Sequence, residues 1–254
     1  MSEKPPILEF DPTREAVIEP SRILKPRPVP EHAVLCFFRE VIDHMRDTRG
    51  ATIVARMKSE MGIFPIYATE WNGRPLAFFH PGVGAPLAAA SLEAAIAFGC
   101  RKFVVCGGAG VLHADTALGH IFVPESAVRD EGLSYHYLPP SREVAPTPNA
   151  LAAIEAALLA HELRYVKAKT WTTDAIFRET RAKIERRTAE GCATVEMEAA
   201  AFFAVAQFRG VELAEVLYAG DDLSQPAWDP RGWMKERPVR ERLFEVAAEV
   251  CLRL

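Results

Sequence analysis

The chain has 254 residues, 49% of them apolar, which is enough for one α/β domain with a substantial core. Its 34 acidic residues against 30 basic ones leave a formal net charge of −4, so it lacks the basic excess that grips a phosphate backbone, and nucleic acid is not an expected partner. Cys36, Cys100, Cys106, Cys192 and Cys251 are scattered without metal-ligand spacing and read as reduced, buried thiols of a cytoplasmic protein, and no apolar run approaches a signal core or a membrane span.

Residues 1–30 are rich in proline and charge and are expected to form an extended lead-in. HAVLCFFREVIDHM (32–45) spaces its apolar residues as a helix does. RPLAFFH (74–80) predicts a strand entering a glycine turn. APLAAASLEAAIAFG then predicts a helix, with Pro86 near its start and Gly99 past its end. RKFVVCGGAG reads as an apolar strand ending in glycines, and HIFVP and YVKAKTWTT as further strands. Between these two, residues 147–163 predict an amphipathic helix with Thr147 as its cap. TVEMEAAAFFAVA (194–206) closes a strand and opens a helix. VELAEVLYAGDD is a strand running into Asp221, and RPVRERLFEVAAEVCLRL a closing helix.

Strands alternating with helices imply a mostly parallel sheet covered on both faces, which binds ligands at the carboxyl ends of its strands. The candidate positions are therefore Gly82 to Gly84, Gly107 to Gly110, Thr172 to Asp174, Glu196 to Glu198 and Gly220 to Asp222. No repeat or linker divides the chain, and residues 1–254 read as a single domain.

HPGVGAP and VCGGAGVL set glycines directly after predicted strands, where successive backbone N–H groups can cradle an anion; a ligand-free turn explains either one equally well. Neither is a dinucleotide fingerprint, because Leu87 stands at the third glycine position and FVVC ends in Gly107 rather than an acid. In an extended backbone Glu196 and Glu198 project together, with Met197 opposite, and a carboxylate can accept two hydrogen bonds from the vicinal hydroxyls of ribose. The alternative is that both acids favour the positive end of a helix dipole. Asp221 and Asp222 offer an acid whose pKa a like-charged neighbour raises, with an Asx-type turn or a weak Mg²⁺ site as the alternatives. His113, His120 and His136 are single histidines without ligand spacing. The sequence contains no Walker loop, no HExxH helix and no Gly-x-Ser-x-Gly elbow.

Taken in order, GVGAP, GGAGVL, GHIFVPESAVRDEG, VEMEAAAFFAVA and AGDD resemble the nucleoside phosphorylase family, which contains uridine phosphorylase, hexameric purine nucleoside phosphorylase and related nucleosidases. The resemblance runs from about residue 16 to the C-terminus. It implies an α/β three-layer sandwich around a mixed, largely parallel, partly closed sheet, assembled as a homo-oligomer, either a dimer or a hexamer built as a trimer of dimers. It also implies cleavage of an N-glycosidic bond with phosphate as co-substrate and no cofactor or metal. By the same resemblance Glu198 binds the ribose hydroxyls, Glu196 supports it and Met197 packs on the sugar. Gly107, Phe177 and Asp221 face the base, Asp221 as the acid at a purine N7. Arg22, Gly82 and Gly108 face the phosphate.

The departures lie at the anion. The phosphate-gripping Arg of the phosphorylases is replaced by Val105 or its neighbour Cys106, and their hydroxyl residue by Gly108. The Gly-Asp-Pro-x-Arg loop survives only as IEPSR, with Pro20 and Arg22, and Arg56 is the nearest match to an Arg lent by a neighbouring subunit. Nucleosidases of the family also lack the Arg and use water. RETRAK replaces the Gln and Arg that read uracil. The expected activity is phosphorolysis of a purine nucleoside, with hydrolysis and non-catalytic nucleoside binding as the alternatives.

Overall fold

The computed structural model describes residues 4–254, so the first three residues of the expected lead-in lie outside the described residues. The elements are α1 (Pro20–Ile23), β1 (His32–Cys36), α2 (Arg39–Thr48), β2 (Thr52–Ser59), β3 (Gly62–Trp71), β4 (Arg74–Phe79), α3 (Ala85–Phe98) and β5 (Lys102–Val111). They continue with β6 (Ile121–Asp130), β7 (Glu143–Val144), α4 (Pro148–Ala160), β8 (Tyr165–Thr173), α5 (Arg181–Ala189), β9 (Cys192–Glu196), α6 (Ala199–Arg209), β10 (Glu212–Asp222) and α7 (Arg237–Arg253).

All ten strands join one mixed sheet, as expected. β1 lies parallel between β4 and β5, and β10 runs parallel to β5 on its other side. β5 also pairs antiparallel with β9, β9 parallel with β8, β8 parallel with β6, and β6 antiparallel with β10. The path from β5 through β9, β8, β6 and β10 thus returns to β5 and closes one end of the sheet into a barrel. Beyond β4 the sheet stays open as the antiparallel hairpin of β2 and β3.

Alternation along the strands divides the core in two. Val34 and Cys36 of β1, with Val104 and Cys106 of β5, face α2, α4 and α7. Ala33, Leu35, Phe103 and Val105 face α3 and α6. α6 is buried around its whole circumference from Ala199 to Ala206, which is why its sequence shows no polar face. The turn that leads toward the site requires glycine at positive φ. Gly82 and Gly84, each at φ +90°, bend the chain from β4 into α3, and a Cβ on Gly82 would run into Leu87.

Three expectations need correction. Residues 32–45 are not one helix: His32 to Cys36 form a strand buried on both faces between two parallel neighbours, and only Arg39 onward is helical. A short apolar run of this kind satisfies helix and strand templates alike. The β5 strand does not stop at its glycines but passes through Gly107, Gly108 and Gly110, because β10 and β9 supply ladder partners on both sides. Thr147 stands at the start of α4 but makes no side-chain cap; its hydroxyl accepts from the Leu213 N–H and donates to the Leu213 carbonyl, tying α4 to β10.

Gly110 faces the Leu223 side chain, with Val195 3.1 Å from where a Cβ would stand. Gly110→Ala is therefore expected to overpack this junction of β5, β9 and β10 at a cost of about 1–3 kcal/mol. A drop in Tm of several degrees by calorimetry is the expected result.

Candidate functional site

The carboxyl ends of β1, β4, β5, β8, β9 and β10 meet around the start of α6. β9 ends at Glu196, and α6 begins at Ala199 with Glu198 as its first flanking residue, at φ −139° and ψ −26°. A helix start leaves N–H groups without intrahelical partners. Glu196 supplies them: its Oε2 accepts from the N–H groups of Glu198 and Ala199, both at 2.6 Å. Its Oε1 accepts from the Thr172 hydroxyl at 2.5 Å, and Thr172 in turn accepts from the Ala200 N–H at 3.0 Å. Glu196 and Glu198 therefore do not project side by side as an extended backbone would have them, because the strand ends between them and the first acid folds back onto the helix. Met197, between them, is half-buried.

The Glu198 carboxylate crosses to the other helix start. Its Oε1 accepts from the Gly84 N–H at 2.5 Å, joining the beginnings of α6 and α3. The second N–H of that glycine loop is also engaged, since Gly82 donates to Nδ1 of His80 at 3.0 Å. Of the loop N–H groups that might have cradled an anion, that of Gly84 holds a carboxylate and that of Gly82 a histidine. Burial, with a weaker contribution from Arg39, lowers the His80 pKa, so the ring is neutral at pH 7.

Burial pushes the Glu198 carboxyl up to about 8, and the adjacent Glu196 adds to the shift. Glu196 is raised to about 7 by burial, against the hydrogen bonds that favour its charged form. A third acid, Glu215 on β10, is 1% exposed and is raised well above the carboxylate range by burial and then by Glu196 and Glu198. None of the three forms an ion pair among the described residues.

A second group of acids lies at the end of β10. Asp221 Oδ2 accepts from Trp228 Nε1 at 2.7 Å, and its Oδ1 lies 3.5 Å from where a Cβ on Gly110 would stand. Gly110 pairs with Val195, the residue before Glu196, so β5 and β9 connect the two groups. Glu179 is raised to about 7 by burial and then by the charge of Asp221. The Arg181 guanidinium donates to the carbonyls of Leu223 and Ser224 at 3.1 Å each, holding the segment after β10 against the start of α5. The Asx-type turn considered for this pair belongs to Asp222, whose Oδ1 accepts from the Ser224 N–H at 2.7 Å. Asp221 is left out of the turn.

Other expected positions are placed differently. Arg22 sits on α1 in an exposed ion pair with Glu15, and no hydrogen bond or ion pair links it to Gly82, Gly84, Gly108 or Glu198. The lead-in is anchored instead by Arg209, which donates to Glu93 at 2.8 Å and to buried Glu19 at 2.9 Å. Gly108 faces the Tyr218 ring on the α7 side of the sheet, whereas Gly107 faces Phe37, Leu217 and Glu215 on the α6 side. Phe177 is 96% exposed. His136 lines a cavity of about 540 Å³ between the lead-in, β2, β3 and α3, away from Asp221. Sequence reasoning passed over His80, Glu179 and Glu215. His80 and Glu179 were legible, one in HPGVG at a strand end and the other two residues after Phe177, but Glu215 in VELAEV reads as the solvated face of an alternating strand.

The profile of the phosphorylase superfamily matches residues 31–252, and the chain belongs to that superfamily. It is 26% identical over 153 residues to a guanosine phosphorylase of Halorubrum lacusprofundi, a match covering 60% of this chain and 64% of that relative, just under two thirds of its length. The fold is shared with the uridine phosphorylase of Vibrio fischeri, at a TM-score of 0.77 and 19% identity over 92% of this chain and 100% of the other. It is shared too with the AMP nucleosidase of Bacteroides thetaiotaomicron, at a TM-score of 0.70 and 21% identity over 89% and 88%. Members of this superfamily include nucleoside phosphorylases and nucleosidases. Among the described residues no helix is long and apolar enough to cross a membrane.

The raised acids make stability depend on pH in a definite direction. A carboxyl at 4.5 when unfolded and about 8 when folded holds its proton in the native state across that window. The native state then binds more protons than the unfolded chain, and the stabilisation is lost as pH rises. His32 and His80, both lowered by burial, act in the opposite direction but are common to both proteins in a comparison with Glu198→Gln. Between pH of about 5 and about 8, the Tm of the ligand-free protein is expected to fall by several degrees relative to that of Glu198→Gln. A difference that is flat, or that grows with pH, contradicts the assignment.

Proposed function

We propose that this chain cleaves the N-glycosidic bond of a nucleoside, probing the base with Asp221 and the sugar with Glu198, and that water rather than phosphate takes up the sugar. The observation that carries the choice of water is the state of the anion seat. The N–H groups of Gly82 and Gly84 are engaged by His80 and Glu198, and Val105 or Cys106 matches the place where the phosphorylases carry an Arg, with acidic Glu215 directly across from Val105. Charge-assisted hydrogen bonds are the strong part of anion binding, and a dianion among carboxyls forfeits them.

In this reading Glu198 accepts hydrogen bonds from the ribose hydroxyls, with Glu196 fixing the α6 start from which it projects. As the C1′–N bond breaks, positive charge grows on the sugar, which favours the ionised form of these carboxyls, and in that form they stabilise it. The electron pair leaves with the base. Asp221 meets a purine N7, and Glu179, which keeps its proton up to about 7, lies beside it as a proton source. One positioned acid contributes roughly 10²–10⁴-fold. Phe177 is exposed, and in this reading it covers the base. Phosphorolysis is the second reading, supported by the similarity to the guanosine phosphorylase of Halorubrum lacusprofundi.

Incubation with adenosine, inosine, guanosine and uridine, with and without phosphate, separates the two. Free ribose released at the same rate in both conditions is the expected product, and ribose 1-phosphate formed only with phosphate establishes the second reading. Glu198→Ala is expected to lose at least about tenfold in kcat/KM, equivalent to about 1.4 kcal/mol of transition-state binding. Asp221→Asn should slow a purine nucleoside more than a nucleoside whose activated base leaves without a proton; equal losses on the two substrates contradict an acid at position 221.

A further inference from the structure

Glu215 is a buried acid that the reaction as described does not use and the fold does not satisfy. It lies on β10 directly across from Val105 of β5 and is 1% exposed, and its Oε2 has no hydrogen-bond partner among the described residues. Such a group costs stability in a core that has no other use for it, since an apolar side chain of similar size would fill the same space without the desolvation penalty. The charges that act on it, from Glu196 and Glu198, carry its own sign and give it no compensation.

Its position is specific. Oε1 lies 3.9 Å from where a Cβ on Gly107 would stand, and that point is walled on its other sides by Phe37 at 3.2 Å and Leu217 at 3.4 Å. Any side chain at position 107 would close this space and cap the carboxyl. Glycine keeps a side chain from coming between the carboxyl and the face of the sheet that carries α6. Phe37, which follows β1, packs edge-on against the His80 ring, with centroids 5.7 Å apart, and the charge of Arg39 acts on that histidine from the start of α2.

We infer that Glu215 holds the attacking water above Gly107 and receives its proton, and so selects water over phosphate as the nucleophile. The inference rests on the hydrolytic reading above. The step balances. The water oxygen bonds to C1′ as the C1′–N bond breaks, the electron pair leaves with the base, and one water proton passes to the Glu215 carboxylate, which later returns it to solvent. A phosphate brought to the same place meets a carboxyl where a guanidinium would be needed. The titratable groups that act on Glu215 are Glu196 and Glu198 from the turn between β9 and α6; Cys106 of β5 feels the Glu215 charge from the other face of the sheet, and His80 at the end of β4, with Arg39 acting on it, stands behind Phe37. Because burial raises the Glu215 carboxyl, its basic form becomes more populated as pH increases, and positive charge on the sugar favours that form during attack.

The test compares the wild-type protein with Glu215→Gln on a nucleoside that the wild type hydrolyses, following ribose release across pH. The substitution keeps the shape and removes the base. Expected are a fall in kcat of about 100-fold or more, a KM within about threefold, and loss of the rise of kcat toward alkaline pH. In Glu215→Ala, sodium azide or formate should restore at least about tenfold of the lost rate by supplying a small anion in the vacated space. A kcat and pH profile for Glu215→Gln matching the wild type overturn the assignment while leaving hydrolysis intact. Strict phosphate dependence of the wild type removes the hydrolytic reading and this assignment together. If Glu215→Gln does not fold, Glu215→Asp decides: it retains a displaced carboxylate, so a lowered kcat with the alkaline rise preserved is expected, and an unchanged kcat overturns the assignment.

Discussion

The Gly84 N–H hydrogen-bonds to the Glu198 carboxylate and brings the starts of α3 and α6 together over the ends of β4, β5 and β9. Helix starts offer unpaired N–H groups and partial positive charge, and here two of them are satisfied by acids of the protein itself. Glu196 supplies the α6 start and Glu198 the α3 start, so a pair of residues adjacent but for Met197 serves two different helices. The same carboxylate that organises the turn after β4 is the one we propose meets the sugar. That economy has an electrostatic cost: the acids are buried close together, hold their protons into the neutral range and form no ion pair among the described residues.

Closure of the barrel decides what else joins these acids. Without the parallel pairing of β10 with β5, neither Glu215 nor Asp221 would lie near the β9 to α6 turn. The pairing sets Glu215 against Val105 and brings Asp221 beside Gly110, at opposite ends of one strip of β10. The strip runs from an apolar floor with one unsatisfied carboxyl to a half-exposed rim where Trp228 and Glu179 attend Asp221. In the proposed reading, an acid-lined floor with Val105 or Cys106 in the place of an arginine favours an uncharged nucleophile over a dianion.

Much of the architecture is legible in residue order. The strand at 74–80, the helix bounded by Pro86 and Gly99, the strands at YVKAKTWTT and VELAEVLYAGDD and the closing helix all stand close to where their patterns place them. Each is long and periodic or carries Pro or Gly at its ends. The hairpin of β2 and β3 and the helix α5 lacked such marks, and the apolar run at 32–36 was ambiguous because a strand buried on both faces has no alternation to show. In the candidate site, the acids of VEMEA and AGDD stand out because a charge at the edge of an apolar run needs a reason. Glu215 escaped notice because the same logic makes an acid in an alternating strand look solvated.

Residue types and their order were enough to establish an alternating α/β chain with its acids and glycines at strand ends, because hydrophobic periodicity and local backbone requirements are encoded within a few residues of each position. Only the tertiary structure decided which acids share one volume, which of them cap a helix, and where Arg22 lies. Those outcomes depend on pairings between segments far apart in the chain, such as β10 with β5 and Gly84 with Glu198, and on the burial that follows. A carboxyl's environment, and with it its proton affinity, is set by what folds over it rather than by its neighbours in sequence.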